Sequence, residues 1–216
     1  KSFMARGRDM VGSFEKACVG WRDDVALFMG PRLSGYSAVD VDDLTEVEIR
    51  SRRLTLAHLE FYRRHAPGFE NAFLMLGAPQ IGVRHSRRLE GLAKVTRGQW
   101  DEGKVWDEEI GVSTSLAPKF PNISIPYGSL LPKDINGVLG AGRHISCDTS
   151  SHSFLREVPQ CWLSGQAAGI AAALSVNAGL EPKSLNVRLV QRELLRQGAY
   201  LSPTVEAAAG LASAAE

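Results

Sequence analysis

Apolar and polar positions change their spacing several times along the chain, and each change marks an element. Between Asp42 and His65, Val47, Leu54, Ala57 and Phe61 recur at spacings of seven, three and four, with Arg50, Arg52, Arg53 and Glu60 between them. That is the period of one helix face. Asp43 to Glu46 has the form of an N-cap with an acidic residue three positions on, and Pro67-Gly68 stops the pattern, which predicts a helix over about 43–65. From Phe69 to Leu92 apolar clusters are broken by Gly77, Pro79 and Gly82, the signature of strand, turn, strand. Residues 93–119 are turn-rich and give no firm element, with Trp100 and Trp106 as packing anchors. Ile123 to Leu131 alternates around Pro126, as an edge strand or extended segment does. Gly137 to Gly142 then reads as a short buried strand entering a glycine turn.

Ser164 can cap a helix whose body, Gln166 to Ala178, is small or apolar nearly all round and closes at Gly179. A helix of that composition is buried on most sides. A final amphipathic helix over about Val187 to Gln197 carries Val187, Val190 and Leu194 on one face, and the Ala-rich tail, 201–216, reads as frayed or disordered. At the other end Phe14, Ala17 and Cys18 can share a helix face before Gly20. The order of pieces predicts a mixed α/β chain with three regions, 1–110, 111–200 and the tail.

Composition narrows the function classes. At 216 residues with 44% apolar residues the chain can bury a core, and 25 Lys+Arg against 24 Asp+Glu leave no field that selects nucleic acid or anionic lipid. No apolar run reaches the length of a membrane span. Cys18, Cys147 and Cys161 are widely spaced and odd in number, which fits buried thiols in a reducing, cytoplasmic setting better than a disulfide framework. The five His and three Cys show no metal-ligand spacing. The chain opens at Lys1 rather than Met, as expected when an upstream piece has been removed or is missing, or when the true start lies elsewhere.

Two stretches can carry chemistry. Ala141-Gly142-Arg143 ends a strand-like run in small residues, so a ligand can reach the backbone unhindered. Gly165-Gln166-Ala167-Ala168-Gly169 does the same at a predicted helix start, where free amides and the positive dipole end favour an electron-rich group. The plainer alternative is a tight helix–strand contact, since Gly/Ala-rich packing is common. Arg84, His85, His152 and Arg156 are the candidate substrate-side groups: forked guanidinium donors suit carboxylate, carbonyl or enolate oxygens, and a His can move a proton. Each has a structural alternative, a satisfied core histidine or an Arg paired with protein carboxylates.

The run from Ile125-Pro126-Tyr127 through Leu131-Pro132-Lys133, Gly137 to Arg143, His152, Arg156, Pro159, Cys161 and Gly165 to Gly169 resembles the closing region of the FAD-dependent oxidoreductases, within the glutathione-reductase-like superfamily. Pro67 to Glu70, Ala78 to Arg84 and Arg87-Arg88 are similar to the same family, so the likeness spans roughly residues 40 to 200. The resemblance implies the C-terminal part of a two-dinucleotide-fold FAD-binding domain, with 1–110 on the substrate or cap side. It implies FAD as cofactor and hydride transfer to or from a small organic substrate. Gly142 and Arg143 would lie by the phosphates and ribityl chain, and Gly165, Gln166, Ala167 and Ala168 by the flavin pyrimidine edge.

Gly128, His85 and His144 stand where the family commonly has Arg, an acidic residue and Cys, which leaves substrate class open. No Gly-x-Gly-x-x-Gly follows a strand with an acidic residue about twenty positions on, the arrangement that receives the pyrophosphate and ribose. A second polypeptide, or the N-terminal product of a cleaved precursor, is therefore expected to complete the site through an extensive interface. Two other readings stay open: a non-catalytic assembly or regulatory subunit that keeps the fold, and a helical binding module unrelated to flavin.

Overall fold

A computed structural model of the chain describes residues 17–113 and 122–211, and it divides into two compact units between Ser86 and Arg87. In the first, β1 (Cys18–Val19) and β2 (Ala26–Leu27) form a two-stranded antiparallel pair. Cys18 is thus in an exposed strand and not on a helix face; Phe14 lies outside the described residues.

The predicted long helix is α1 (Val41–His65). Its cap is Asp40 and not Asp43: the Asp40 carboxylate, on extended backbone, accepts from the amides of Asp42 and Asp43, both at 3.0 Å. Asp43 sits inside the first turn and accepts from the Ser37 amide. The buried row is Leu54, His58 and Tyr62, while Ala57 is exposed and Val47 only half-buried. Tyr62 takes the inner face because its ring packs against Phe28 and Phe69, with centroids 4.8 and 5.4 Å away. An aromatic ring buries far more apolar area there than an alanine methyl.

The expected strand–turn–strand over 69–92 does not form; most of the segment is extended without a strand partner, and near its end Gly91 makes an isolated antiparallel bridge to Pro132. Side chains of α1 take over the pairing. The Ile81 amide donates to Glu48 and Arg52 donates to the Pro79 carbonyl, each at 3.0 Å.

The second unit contains α2 (Arg97–Asp101), β3 (Glu109–Ser113), β4 (Ile123–Pro126), α3 (Thr149–Leu155), α4 (Val158–Ala178), α5 (Val187–Arg196) and α6 (Pro203–Leu211). Strands β3 and β4 pair antiparallel, with an irregularity between Glu109 and Gly111. The mixture of helix and small sheet fits the α/β expectation. Around it Ile110, Ile125, Leu130, Ile145, Leu155 and Leu194 form a core from which water is excluded. Helix α4 approaches β3 so closely that a Cβ on Gly111 would lie 2.2 Å from a methyl of Leu163, which is why glycine stands there.

Helix α5 is the predicted amphipathic helix, with Val190 and Leu194 fully buried. Between them Gln191 donates its amide to the carbonyls of Asp107 and Glu109, at 2.8 and 2.9 Å, and pins the helix to the sheet edge. The Ala-rich tail is ordered where it is described. Residues Pro203–Leu211 form α6, held because the buried Glu109 carboxylate accepts from both the Ser202 amide and the Ser202 hydroxyl, and because Leu201, Val205 and Ala209 are buried; 212–216 lie outside the described residues.

The strand expected from Ile123 forms as far as Pro126, and turns take the rest of it and the strand expected at Gly137 to Gly142. After β4 the chain tightens into a 3-10 turn, Tyr127–Leu130, and Gly137 to Gly142 is an extended loop tied by the Gly140 amide to the Leu130 carbonyl. Trp100 is a true anchor, buried with its indole N–H on the Ser151 hydroxyl at 2.9 Å. Trp106 is half-buried beneath the Lys104 ammonium.

Glu108 lies beside this turn and accepts from the Gly128 amide at 3.1 Å. Burial pushes its carboxyl above the usual glutamate range, against the pull of the Gly128 amide and Lys104. A carboxyl whose folded value is raised contributes stability at low pH and loses it as pH climbs through that folded value. Glu108→Gln should therefore equal or exceed the wild-type chain in stability near neutral pH, with the difference vanishing on acidification below the ordinary glutamate range. Denaturant melts across pH 3–8 check this; a variant less stable at neutral than at acid pH, relative to wild type, would contradict it.

Candidate functional site

Within the second unit the loop at Ala141 to His144 is fastened to two helices. The Gly142 amide donates to the Ser164 hydroxyl at 2.9 Å, and that hydroxyl donates on to the Cys161 carbonyl at 3.0 Å, which anchors the loop to α4. On the other side the buried His152 of α3 sets its Nε2 3.0 Å from the Arg143 carbonyl. A carbonyl only accepts, so Nε2 carries the proton in this contact. Helix α3 is itself fixed by Asp148, which accepts from the amides of Ser151 and Arg97 at 2.7 and 2.8 Å.

Held in this way, Gly142 has φ of 91°, a left-handed conformation that favours glycine, and no atom lies within 4 Å of where a Cβ would project. Gly165 has equally open space in front of it. Arg143 is exposed, and its charge is felt at the Cys161 thiol, which burial pushes up and Arg143 pulls down. Arg156 is mostly buried and pairs with Glu157 at 3.0 Å. Thus Gly142, Arg143, His152, Arg156 and Gly165 gather around the junction of the loop with α3 and α4.

The helix carrying Gly165 starts earlier than its sequence suggests. Helix α4 begins at Val158 after Glu157, with Pro159 in the first turn, and Ser164 is a fully buried interior residue and not a cap. The unbonded amides of a helix are those of its first turn, so the amides of Gly165 to Ala168 bond back within the helix and offer no dipole front to a ring. The signal for the true start was Pro159, because proline is favoured in a first helical turn. Ala167 is fully buried in the core, and Gln166 turns toward α5, its amide on the Gln197 side chain at 2.9 Å. Neither is presented with Gly165; Ala168 is half-buried. Ser164 as the bridge to the loop was not readable from the sequence, which gives a serine no address for its hydroxyl.

Arg84 and His85 belong to the first unit, where both are exposed on the extended segment that follows α1. The three cysteines are free thiols, but only Cys147 is buried; Cys161 is half-buried and Cys18 exposed. Among the described residues no group of His, Cys, Asp and Glu could hold a metal ion, and no helix is long and apolar enough to cross a membrane.

A family model described as FAD dependent oxidoreductase matches residues 21–194, across both units. The chain belongs to this family. Its cofactor is FAD, and its chemistry is oxidoreduction. No curated protein and no solved structure matches the chain. The surface at Gly142 fits such a group, since backbone without side chains borders open space there.

Proposed function

We propose that this chain forms the flavin-ring side of the FAD site in an oxidoreductase that moves a hydride between flavin and a small organic substrate. The observation that carries the reading is the Gly142 loop, left-handed, uncovered and clamped from both sides by Ser164 and His152. When bound, FAD supplies the hydride acceptor or donor. The loop's part is to hold the cofactor by backbone contact at Gly142 and Arg143, with Gly165 and Ala168 along the neighbouring helix surface, Ala167 supporting them from the core and Gln166 tying that helix to Gln197.

In this reading His152 is a positioning residue. Its ring is buried and engaged with the Arg143 carbonyl, so it fixes the loop that touches the cofactor. Arg156 supplies a cationic group for a carboxylate, carbonyl or enolate substrate, and Arg84 and His85 offer the same kind of polar donors within the first unit. Arg156 must exchange its Glu157 partner to do so. The pyrophosphate and adenosine end of FAD is gripped by a nucleotide-binding fold absent from these 216 residues, on a second polypeptide or on the N-terminal part of a cleaved precursor. The free thiols support a reducing, cytoplasmic workplace.

Absorbance and intact-mass analysis of the native assembly tests this. A flavin spectrum at one FAD per chain, together with a companion polypeptide, is expected. A colourless assembly would instead favour a non-catalytic assembly or regulatory subunit.

A further inference from the structure

Of the five asparagines in the chain, only Asn136 is followed by glycine; Asn71 and Asn177 precede Ala, Asn122 precedes Ile and Asn186 precedes Val. Asn136 and Gly137 are both exposed, on the loop that leads from Pro132 to Gly142. Gly137 has φ of 68°, a left-handed conformation that favours glycine, so no side chain shields its main-chain nitrogen. Among the described residues no hydrogen bond engages the Gly137 amide. The other asparagines are placed differently. The Ala72 amide after Asn71 donates to the Phe69 carbonyl at 3.0 Å, Ala178 after Asn177 lies within α4, and the Asn186 side chain caps α5 by accepting from the Arg188 amide.

The Asn136 side chain has a cation on its carbonyl. Its Oδ1 accepts from the Lys183 ammonium at 2.9 Å, and the same ammonium donates to the Lys133 carbonyl at 3.1 Å. Lys183 is set in place by its neighbour Pro182, which is buried and whose carbonyl accepts from the Tyr127 hydroxyl at 2.9 Å. A cation on an amide oxygen draws electron density from the carbonyl carbon and stabilises the negative charge that the oxygen takes on when a nucleophile adds. One turn thus holds an unshielded nitrogen, a polarised carbonyl carbon and the cation that polarises it.

We propose that Asn136-Gly137 is a site of spontaneous deamidation and that its isoaspartyl product loosens the loop carrying Gly142. The Gly137 nitrogen gives up its proton and bonds to the Asn136 side-chain carbonyl carbon. The bond from that carbon to Nδ2 breaks, and ammonia leaves with the proton. Water then opens the cyclic imide at either carbonyl, giving aspartate or isoaspartate with no change of oxidation state. Aspartate keeps an oxygen for Lys183. Isoaspartate adds a methylene to the main chain, which shifts the turn against Lys183 and against the bond from the Gly140 amide to the Leu130 carbonyl. Gly142 stands two residues beyond Gly140. The loosening of that loop rests on the proposed FAD role; the deamidation does not.

The test ages the native FAD-containing assembly in neutral buffer and follows each asparagine by peptide mass spectrometry, with isoaspartyl peptides separated by chromatography. Asn136 should convert at least about tenfold faster than Asn71 and Asn177, and Lys183→Met should slow it by about tenfold. Assemblies with isoaspartate at 136 should hold less flavin per chain than unconverted ones, whereas Asn136→Asp should hold as much as wild type. Conversion of Asn136 no faster than that of Asn71 overturns the deamidation, and an unchanged rate in Lys183→Met overturns the role of the cation. Equal flavin in converted and unconverted assemblies overturns the coupling to the loop and leaves the FAD reading standing. A colourless wild-type assembly overturns the FAD reading and the coupling together, and the peptide masses still decide the deamidation.

Discussion

Replacing Gly142 by valine is expected to strip FAD from the assembly while leaving the second unit folded. At φ of 91° a β-branched residue incurs backbone strain on the order of 1–3 kcal/mol. Its side chain would also project into the open space beside the loop, where nothing lies within 4 Å. Strain alone would lower stability modestly; the side chain in the cofactor's path acts on binding. Together they should weaken FAD affinity by about a hundredfold or more, near 3 kcal/mol. Ser164→Ala, which removes one hydrogen bond to the Gly142 amide but leaves the space open, should cost only about 1 kcal/mol. Bound-flavin absorbance per chain, read with a thermal melt, separates the two. A Gly142→Val assembly with full flavin content would mean that the cofactor lies elsewhere.

Glu109→Ala should produce the largest loss of stability away from the site. The Glu109 side chain has no contact with water and accepts from the Ser202 amide at 2.6 Å and the Ser202 hydroxyl at 2.9 Å. Truncation leaves both donors without that acceptor at the entry to α6, at a cost of about 2–4 kcal/mol. For a chain of this size the melting temperature should fall on the order of 5–15 °C, with α6 the first segment to lose amide protection in hydrogen exchange. Glu109→Gln keeps one acceptor and should lose less. A melting temperature unchanged in Glu109→Ala would show that α6 is held by its apolar contacts alone.

The parts of the fold legible in the sequence were those written in period and punctuation. The end of α1 before Pro67-Gly68, the end of α4 at Gly179 and the buried face of α5 all follow from spacing and stop residues. What failed was written in tertiary contacts. Asp40 outcompeted Asp43 as a cap because its extended backbone left its carboxylate free to face two amides. Segment 69–92 had the residues of strands, but Pro79 and Ile81 found their partners in Arg52 and Glu48 of α1 and Gly91 made an isolated bridge to Pro132. The tail after Pro203 looked featureless because its anchor, Glu109, is far away in sequence.

The site was legible in composition and misread in one element. Gly142 and Arg143 lie on one loop, which His152 holds by the Arg143 carbonyl, and Arg156 at the end of α3 pairs with Glu157. The helix front is not at Ser164, because a serine carries the residue signal of a cap wherever it stands, while Pro159, five positions earlier and within the first turn, marked the true start. The surface open to a flavin is therefore the uncovered loop at Gly142 and not a row of helix amides.

The most direct test of that argument is a crystal structure of the FAD-loaded native assembly. It should show the cofactor in van der Waals contact with the backbone of Gly142 and Arg143, with Ser164 and His152 still fastening the loop. Protein side chains filling the space in front of Gly142, with FAD bound at another surface, would contradict it.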